Sequence, residues 1–189
     1  MIDLTQPCRR MIAVLADVRD DQLDAATPCR DMTLRELVAH IGALSVAFDA
    51  AARKELGPLT DTPPEEVVGL EQDWRRTYPD HLAVLAQSWT RPEAWTGMTR
   101  AGGVDLPGEV AGSVALAEVV IHGWDVARVT GQPYDVDVAT GRACLSHLAQ
   151  FDTSGTEGLF GPAVAVPDDA PVIDRIVGLS GRDPRWSAG

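Results

Sequence analysis

The stretch AEVVIHGWDVARVTG, residues 117–131, constrains the fold of this chain more than any other segment. Apolar and small side chains cover most of the circumference of a helix drawn through it, whereas a surface helix carries a broad charged face. Its polar residues Glu118, His122 and Asp125 are spaced four and then three apart, and so fall within an arc of about 60°. We therefore expect a buried helix over about residues 113–130 that carries one polar stripe.

A polar stripe on a buried helix needs a compensating partner, because a buried carboxylate costs several kcal/mol unless a cation or a hydrogen-bond network offsets it. Glu118 and His122 lie one turn apart with side chains that lean the same way, so their oxygen and nitrogen can share one metal ion. The E-x-x-x-H spacing alone is a weak signal, since many helices that bear an ordinary core histidine show it by chance. A metal site requires a third ligand from another helix.

The other helices are predicted from the spacing of apolar residues and from helix-capping residues. Helical spacing of apolar residues predicts helices over about residues 5–23, 33–54, 63–89, 138–151 and 172–180, besides the buried one. Thr33 and Glu36 form a capping box at the start of the second predicted helix. Pro63–Glu66 suits the start of the third predicted helix, which Pro79 could interrupt. Residues 90–112 are rich in glycine and proline and predict a long loop or irregular hairpin. Long helices with little strand signal predict an all-α bundle.

Three further histidines are candidate third ligands. His40 lies on the flank of the apolar stripe of the second helix, so its side chain should face the bundle interior. His81 lies near the proline of the third helix and is expected to be a partly exposed histidine, while His147 pairs with Cys144 without a further cysteine partner. His40 is therefore the favoured third ligand. Cys29, just ahead of a helix cap, is expected to be a small packing residue.

Composition limits the class of protein. The 189 residues, 45% of them hydrophobic, suffice for a single domain over residues 1–189. The formal net charge of −12 disfavours binding to nucleic acid or anionic lipid, and no uninterrupted apolar run approaches the roughly 20 residues of a membrane span. The three cysteines are odd in number and lack C-x-x-C spacing, which predicts reduced thiols in a cytoplasmic protein.

Three separated segments resemble, in order, the mycothiol-dependent maleylpyruvate isomerase-like proteins, a branch of the DinB/YfiT superfamily. Residues 27–41, TPCRDMTLRELVAHI, are similar to the family segment T-P-C-x-x-W-T-x-x-x-L-x-x-H. Residues 115–131 are similar to its E-x-x-x-H-x-W-D segment, and residues 160–184 resemble a subgroup of short members. This conjunction is much more specific than any one segment, and it covers nearly the whole chain.

The resemblance implies a DinB-like four-helix bundle that holds one divalent metal, zinc or nickel, through His40, Glu118 and His122. Asp125 matches a family aspartate that would orient a ligand from behind. Two departures concern the loop before the second helix, where Met32 replaces the usual tryptophan and residues 30–31, Arg-Asp, replace Pro-Gly. The chain is also expected to lack the additional C-terminal domain of the isomerase itself, which leaves the second substrate open.

The implied activity is that of a thiol-dependent metalloenzyme. Three protein ligands leave a coordination position open, where mycothiol, the expected cosubstrate, would bind as thiolate and add to an electrophilic small molecule in a transferase or isomerase reaction. No catalytic residue beyond the metal centre is assigned. One alternative is a non-catalytic metal-binding stress or interaction protein, and another is a metal-free hydrogen-bond network around Glu118. A monomer and a homodimer are both compatible with the sequence.

Overall fold

The computed structural model of the chain describes residues 1–30, 32–63, 69–156 and 160–188. Within these ranges the protein is helical, with one two-stranded antiparallel sheet. The elements are α1 (Thr5–Ala16), α2 (Leu34–Arg53), α3 (Pro58–Asp61), α4 (Trp74–Ser88), β1 (Met98–Ala101), β2 (Val104–Pro107), α5 (Gly108–Thr130), α6 (Val138–Leu148) and α7 (Val172–Leu179).

The four longest helices, α1, α2, α4 and α5, form a bundle in which α1 and α2 each contact both α4 and α5. Their apolar faces meet in one continuous core, which confirms the predicted all-α four-helix bundle. The first helix ends at Ala16, earlier than expected, and a 3₁₀ turn at Asp20–Gln22 follows it. The polar residues there satisfy one another locally, since the Gln22 side chain accepts from the Arg19 backbone N–H at 3.0 Å.

The start of α2 follows the predicted capping box. The Thr33 hydroxyl accepts from the Glu36 backbone N–H at 3.4 Å, and the Glu36 carboxylate accepts from the Thr33 N–H at 2.8 Å. For the third predicted helix, residues 64–68 of the expected start lie outside the described residues. The described helix, α4, runs without interruption through Pro79, so the break there is not formed.

Within the 90–112 stretch, predicted as a long loop or irregular hairpin, residues 98–107 form a hairpin, a 3₁₀ turn at Pro92–Trp95 precedes it, and residues 108–112 belong to α5. Strands β1 and β2 pair from Met98–Pro107 to Ala101–Val104, and Gly102 and Gly103 make the two-residue turn with φ values of +58° and +78°. The Thr99 hydroxyl donates to a carbonyl of α2 at 2.6 Å and so attaches the hairpin to the bundle. The chain then enters α5 directly, five residues before the predicted start.

Helix α5 is the central element of the core. Among the described residues it alone is long and apolar enough to cross a membrane, with a mean hydropathy of 1.3 over its most apolar window. That window is 78% buried inside the protein, as expected for a core helix. Helices α6 and α7 pack against each other, and α6 also contacts α5, so the two predicted short C-terminal helices are confirmed.

Candidate metal centre

The polar stripe of α5 meets one histidine of α2. Glu118, His122 and Asp125 project from α5, and His40 projects from the second turn of α2 across the contact between the two helices. His122 and Asp125 are buried, with 5% and 0% exposure, whereas the side chains of His40 and Glu118 keep 19% and 21%. The stripe therefore runs from a closed end inside the bundle to an end that reaches solvent.

Three nitrogen and oxygen atoms converge at the outer part of the stripe. One ligand atom each from His40, Glu118 and His122 lies within 4.8 Å of the other two. A Glu118 carboxylate oxygen is 3.0 Å from His122 Nε2 and 3.6 Å from His40 Nε2. Donor atoms bound to one tetrahedral zinc ion lie about 3.3 Å apart, so both separations suit a shared ion, whereas only the 3.0 Å contact with His122 is short enough for a direct hydrogen bond.

The carboxylate and the imidazole polarise each other. Burial by itself would raise the pKa of Glu118, but interactions with the His122 and His40 imidazoles outweigh it and hold that pKa well below the usual range. Burial would lower the pKa of His122, yet the hydrogen bonds to Asp125 and Glu118 raise it to about 9. Without a metal ion, the cluster therefore favours an ionised carboxylate beside a protonated imidazole.

Asp125 lies on the far side of the His122 ring. Its Oδ2 is 3.0 Å from His122 Nδ1 and 3.2 Å from a terminal guanidinium nitrogen of Arg182. A carboxylate at Nδ1 selects the tautomer in which Nδ1 carries the proton and Nε2 presents a lone pair toward Glu118 and His40. Arg182 was missed by sequence reasoning, because it is remote from α5 in the chain and no local spacing connects the two.

Cys29 lies closer to this cluster than the sequence suggested. Its Sγ forms a second group of possible ligand atoms with His122 and Asp125, again within 4.8 Å of one another. The thiol is half-buried and contacts the Met32 sulfur at 3.9 Å, so the packing contact exists as well. Burial is the largest influence on its pKa and raises it to about 11, although the Arg182 charge opposes the shift.

The other two histidines lie apart from both groups of possible ligand atoms in the described part of the chain. His81 is half-buried on α4, with its ring 6.0 Å from that of Tyr78. His147 is buried against Phe151, and burial lowers its pKa. Cys144 is a buried thiol whose pKa burial raises to about 12, which disfavours a metal-binding thiolate.

Comparison with known proteins finds a family match over most of the bundle. The family model of the mycothiol maleylpyruvate isomerase N-terminal domain matches residues 4–127. That segment contains His40, Glu118, His122 and Asp125 but ends before α6 and α7. Uncharacterized proteins from two strains of Mycobacterium tuberculosis are 27% identical to this chain over 180 residues, which is 92% of either sequence.

Solved structures share the fold. Two crystal structures of the mycothiol-dependent maleylpyruvate isomerase superpose on this chain with a TM-score of 0.62. One structure is that of the enzyme itself, which is 18% identical to this chain. The other is that of a mutant in which a histidine is replaced by alanine, which is 16% identical to this chain. Each match covers 97% of this chain and 78% of the isomerase chain, so about a fifth of the isomerase chain lies outside the match.

Proposed function

This chain belongs to the mycothiol maleylpyruvate isomerase N-terminal domain family, and we propose that it is a thiol-dependent metalloenzyme. In this proposal His40, Glu118 and His122 hold one divalent metal ion, zinc or nickel. The observation that carries it is the convergence of their three ligand atoms at the solvent-reaching end of a stripe on an otherwise apolar helix. A small thiol and an electrophilic small molecule are the proposed substrates.

The donor set suits the proposed metal. Two imidazole nitrogens and one carboxylate oxygen are the ligands of a common class of catalytic zinc site. A three-ligand set leaves room for a further ligand, and the partial exposure of His40 and Glu118 lets a small molecule approach from solvent. When bound there, a divalent metal would lower the pKa of a coordinated thiol and so supply a strong nucleophile at neutral pH.

The protein's own side chains prepare the site for that ligand. Asp125 accepts from His122 Nδ1, which directs the Nε2 lone pair toward the converging atoms. His122 is buried, and the edge of one imidazole meets the face of the other where its ring contacts that of His40, with 5.0 Å between the ring centroids. Glu118 is held ionised, which is the form that binds a cation.

Mycothiol is the proposed thiol, by family membership. The related solved enzyme is a maleylpyruvate isomerase, so isomerisation of an unsaturated acid through reversible thiol addition is one candidate reaction, and S-transfer to another electrophile is the second. The match covers 78% of the isomerase chain at 18% identity, so the proposal does not extend to maleylpyruvate as the substrate. A metal-binding protein without turnover is the alternative that shares the same ligands.

The first test measures metal and turnover together. Purified protein should take up one zinc or nickel ion per chain. The loaded protein should accelerate either the mycothiol-dependent isomerisation of maleylpyruvate, which regenerates the thiol, or the loss of mycothiol to another electrophile of a panel. His40→Ala and Glu118→Ala should each weaken zinc binding more than the roughly 10–100-fold expected for a supporting residue. His81→Ala, a half-buried histidine outside the cluster, is the matched control and should bind zinc like the wild type.

Metal content that stays substoichiometric after zinc or nickel addition would contradict the metal site and favour a hydrogen-bonded network. Stoichiometric metal with neither isomerisation of maleylpyruvate nor thiol consumption across the panel would instead favour the non-catalytic metal-binding protein. Wild-type affinity in His40→Ala or Glu118→Ala would show that the ligand assignment is wrong.

A further inference from the structure

The C-terminal tail places a cation directly behind the candidate metal centre. Arg182 is only 8% exposed, and one terminal nitrogen donates to Asp125 Oδ2 at 3.2 Å while the other donates to the Ser180 carbonyl at 3.0 Å. Asp125 is fully buried, and in the described part of the chain Arg182 is the one lysine or arginine within salt-bridge distance of it. Asp125 Oδ2 is thus shared between His122 and Arg182.

We propose that Arg182 is a positioning residue for the metal centre, acting through Asp125 on the orientation and tautomer of His122. The proposal rests on the metal site described under Proposed function. It assigns to the tail, beyond the segment matched by the family model, a direct role in the geometry of the site.

Charge explains why the tail residue is needed. A metal-bound His122 is a neutral imidazole that donates from Nδ1, so Asp125 must remain a carboxylate to accept. A fully buried carboxylate that accepts from a single neutral donor costs free energy. Asp125 is fully buried, and its other oxygen, Oδ1, has no hydrogen-bond partner among the described residues. Arg182 supplies the compensating charge and leaves the His122 hydrogen bond in place.

Local backbone structure fixes where Arg182 stands. Helix α7 ends in a Schellman motif, in which the Arg182 N–H donates to the Val177 carbonyl at 2.9 Å and the Gly181 N–H to the Gly178 carbonyl at 3.1 Å. Gly181 adopts φ +81°, and a Cβ there would lie 2.8 Å from the carbonyl oxygen of Gly161. The turn that aims Arg182 inward therefore depends on a glycine at position 181.

The test is zinc affinity, measured by competition with a chromophoric chelator on the full chain. Arg182→Gln removes the charge and should weaken zinc binding about 10–100-fold, as expected for a residue that supports a ligand. Arg182→Lys keeps the charge and should bind zinc more tightly than Arg182→Gln, with a threefold to tenfold loss against the wild type. Arg185→Gln is the matched control, because it removes the same charge from an exposed side chain of the same tail that pairs with Asp183, and its affinity should stay within twofold.

A double-mutant cycle separates positioning from general destabilisation. In an Asp125→Asn background the Arg182→Gln effect on zinc affinity should fall to less than threefold, because the residue through which Arg182 acts is gone. A full effect in that background would overturn the proposal, as would wild-type zinc affinity in Arg182→Gln. If Arg182→Gln does not fold, Arg182→Lys is run through the same cycle, with a threefold to tenfold loss expected only where Asp125 is present.

The proposal and its premise fail in different ways. Absence of zinc binding by the wild-type protein would overturn the metal site and this inference together. Zinc binding by the wild type with equal binding by Arg182→Gln would overturn this inference alone.

Discussion

At the scale of single residues, His122 carries a carboxylate at each ring nitrogen. Glu118, four residues before it, lies 3.0 Å from Nε2, and Asp125, three residues after it, lies 3.0 Å from Nδ1. Both contacts come from one helix, because residues three and four apart share a face. This part of the candidate site was readable from spacing alone. The chemical difference between the two carboxylates could not be read from spacing, since it depends on His40 beside Glu118 and on Arg182 beside Asp125.

The reactivity of the Cys29 thiol shows whether the protein supplies its own nucleophile. Because burial raises the pKa of its thiol to about 11, very little thiolate exists at pH 8. We expect alkylation of Cys29 by iodoacetamide at pH 8 to be about 100-fold slower than that of free cysteine, whose pKa is about 8.5. Mass spectrometry of the modified peptide measures this rate for Cys29 separately from Cys8 and Cys144.

The variant Cys29→Ser should keep at least half of any mycothiol-dependent turnover. The protein unfolded in guanidinium chloride is the control for activity of the reagent and for its access to the thiols. There all three cysteines should be alkylated at the rate of free cysteine. Rapid labelling of native Cys29, or loss of turnover in Cys29→Ser, would indicate a protein thiol as the nucleophile instead.

At the scale of elements, the site depends on how closely α2 approaches its neighbours. Gly42, one half-turn beyond His40 on α2, faces the ring of Tyr78 on α4, and a Cβ there would lie 2.3 to 2.6 Å from three ring carbons. Tyr78 is 1% exposed and directly precedes Pro79 in α4. Helix α4 contacts both α1 and α2, and tertiary contacts of this kind can outweigh the one backbone hydrogen bond that a proline removes from a helix.

Replacing this glycine should therefore loosen the bundle. We expect Gly42→Ala to lower the free energy of unfolding by about 1–3 kcal/mol, since overpacking of the Tyr78 ring outweighs the better helix propensity of alanine. Urea unfolding of the metal-free protein measures the change. Gly69→Ala is the control, because Gly69 is exposed and no atom of the described residues lies within 4 Å of its added Cβ. The stability of this variant should change by less than about 0.5 kcal/mol. Equal stabilities of the two variants would show that the ring gives way freely.

At the scale of the whole molecule, the proposed ligands belong to two helices that meet only in the folded bundle. His40 comes from α2 and the pair Glu118 and His122 from α5, so the unfolded chain has no preformed site. A ligand that binds the native state alone stabilises it by mass action. Metal binding and the stability of the bundle should accordingly be coupled.

Removal of metal should lower the stability of the protein. Free zinc at 100 times its Kd should raise the free energy of unfolding by about 2.7 kcal/mol over the chelator-treated protein. For a chain of this size that corresponds to a rise of about 5–10 °C in Tm, measured by calorimetry. The Tm of His40→Ala should not respond to zinc at the same concentration. A zinc-independent wild-type Tm would argue against a native-state site.

What the sequence determined by itself is the local part of the structure. The capping box at Thr33, the apolar circumference of α5 and the spacing of Glu118, His122 and Asp125 all lie within a few turns of chain, where backbone hydrogen bonding and helical period decide the outcome. An all-α bundle followed from the same periodic signals, and the four-helix DinB-like form from the family resemblance. The position of His40 on the flank of an apolar stripe made it the favoured partner on α2, and the resemblance supported that choice.

Only the tertiary structure decided which distant groups meet. Arg182 reaches Asp125 from the Schellman turn that ends α7. Cys29, which precedes α2 in the chain, has its sulfur within 4.8 Å of ligand atoms of His122 and Asp125. No periodicity encodes such contacts, since they depend on helix packing and on the path of irregular chain between elements. The buried charge of Asp125 required a cation somewhere, but which residue supplies it is a property of the folded tail.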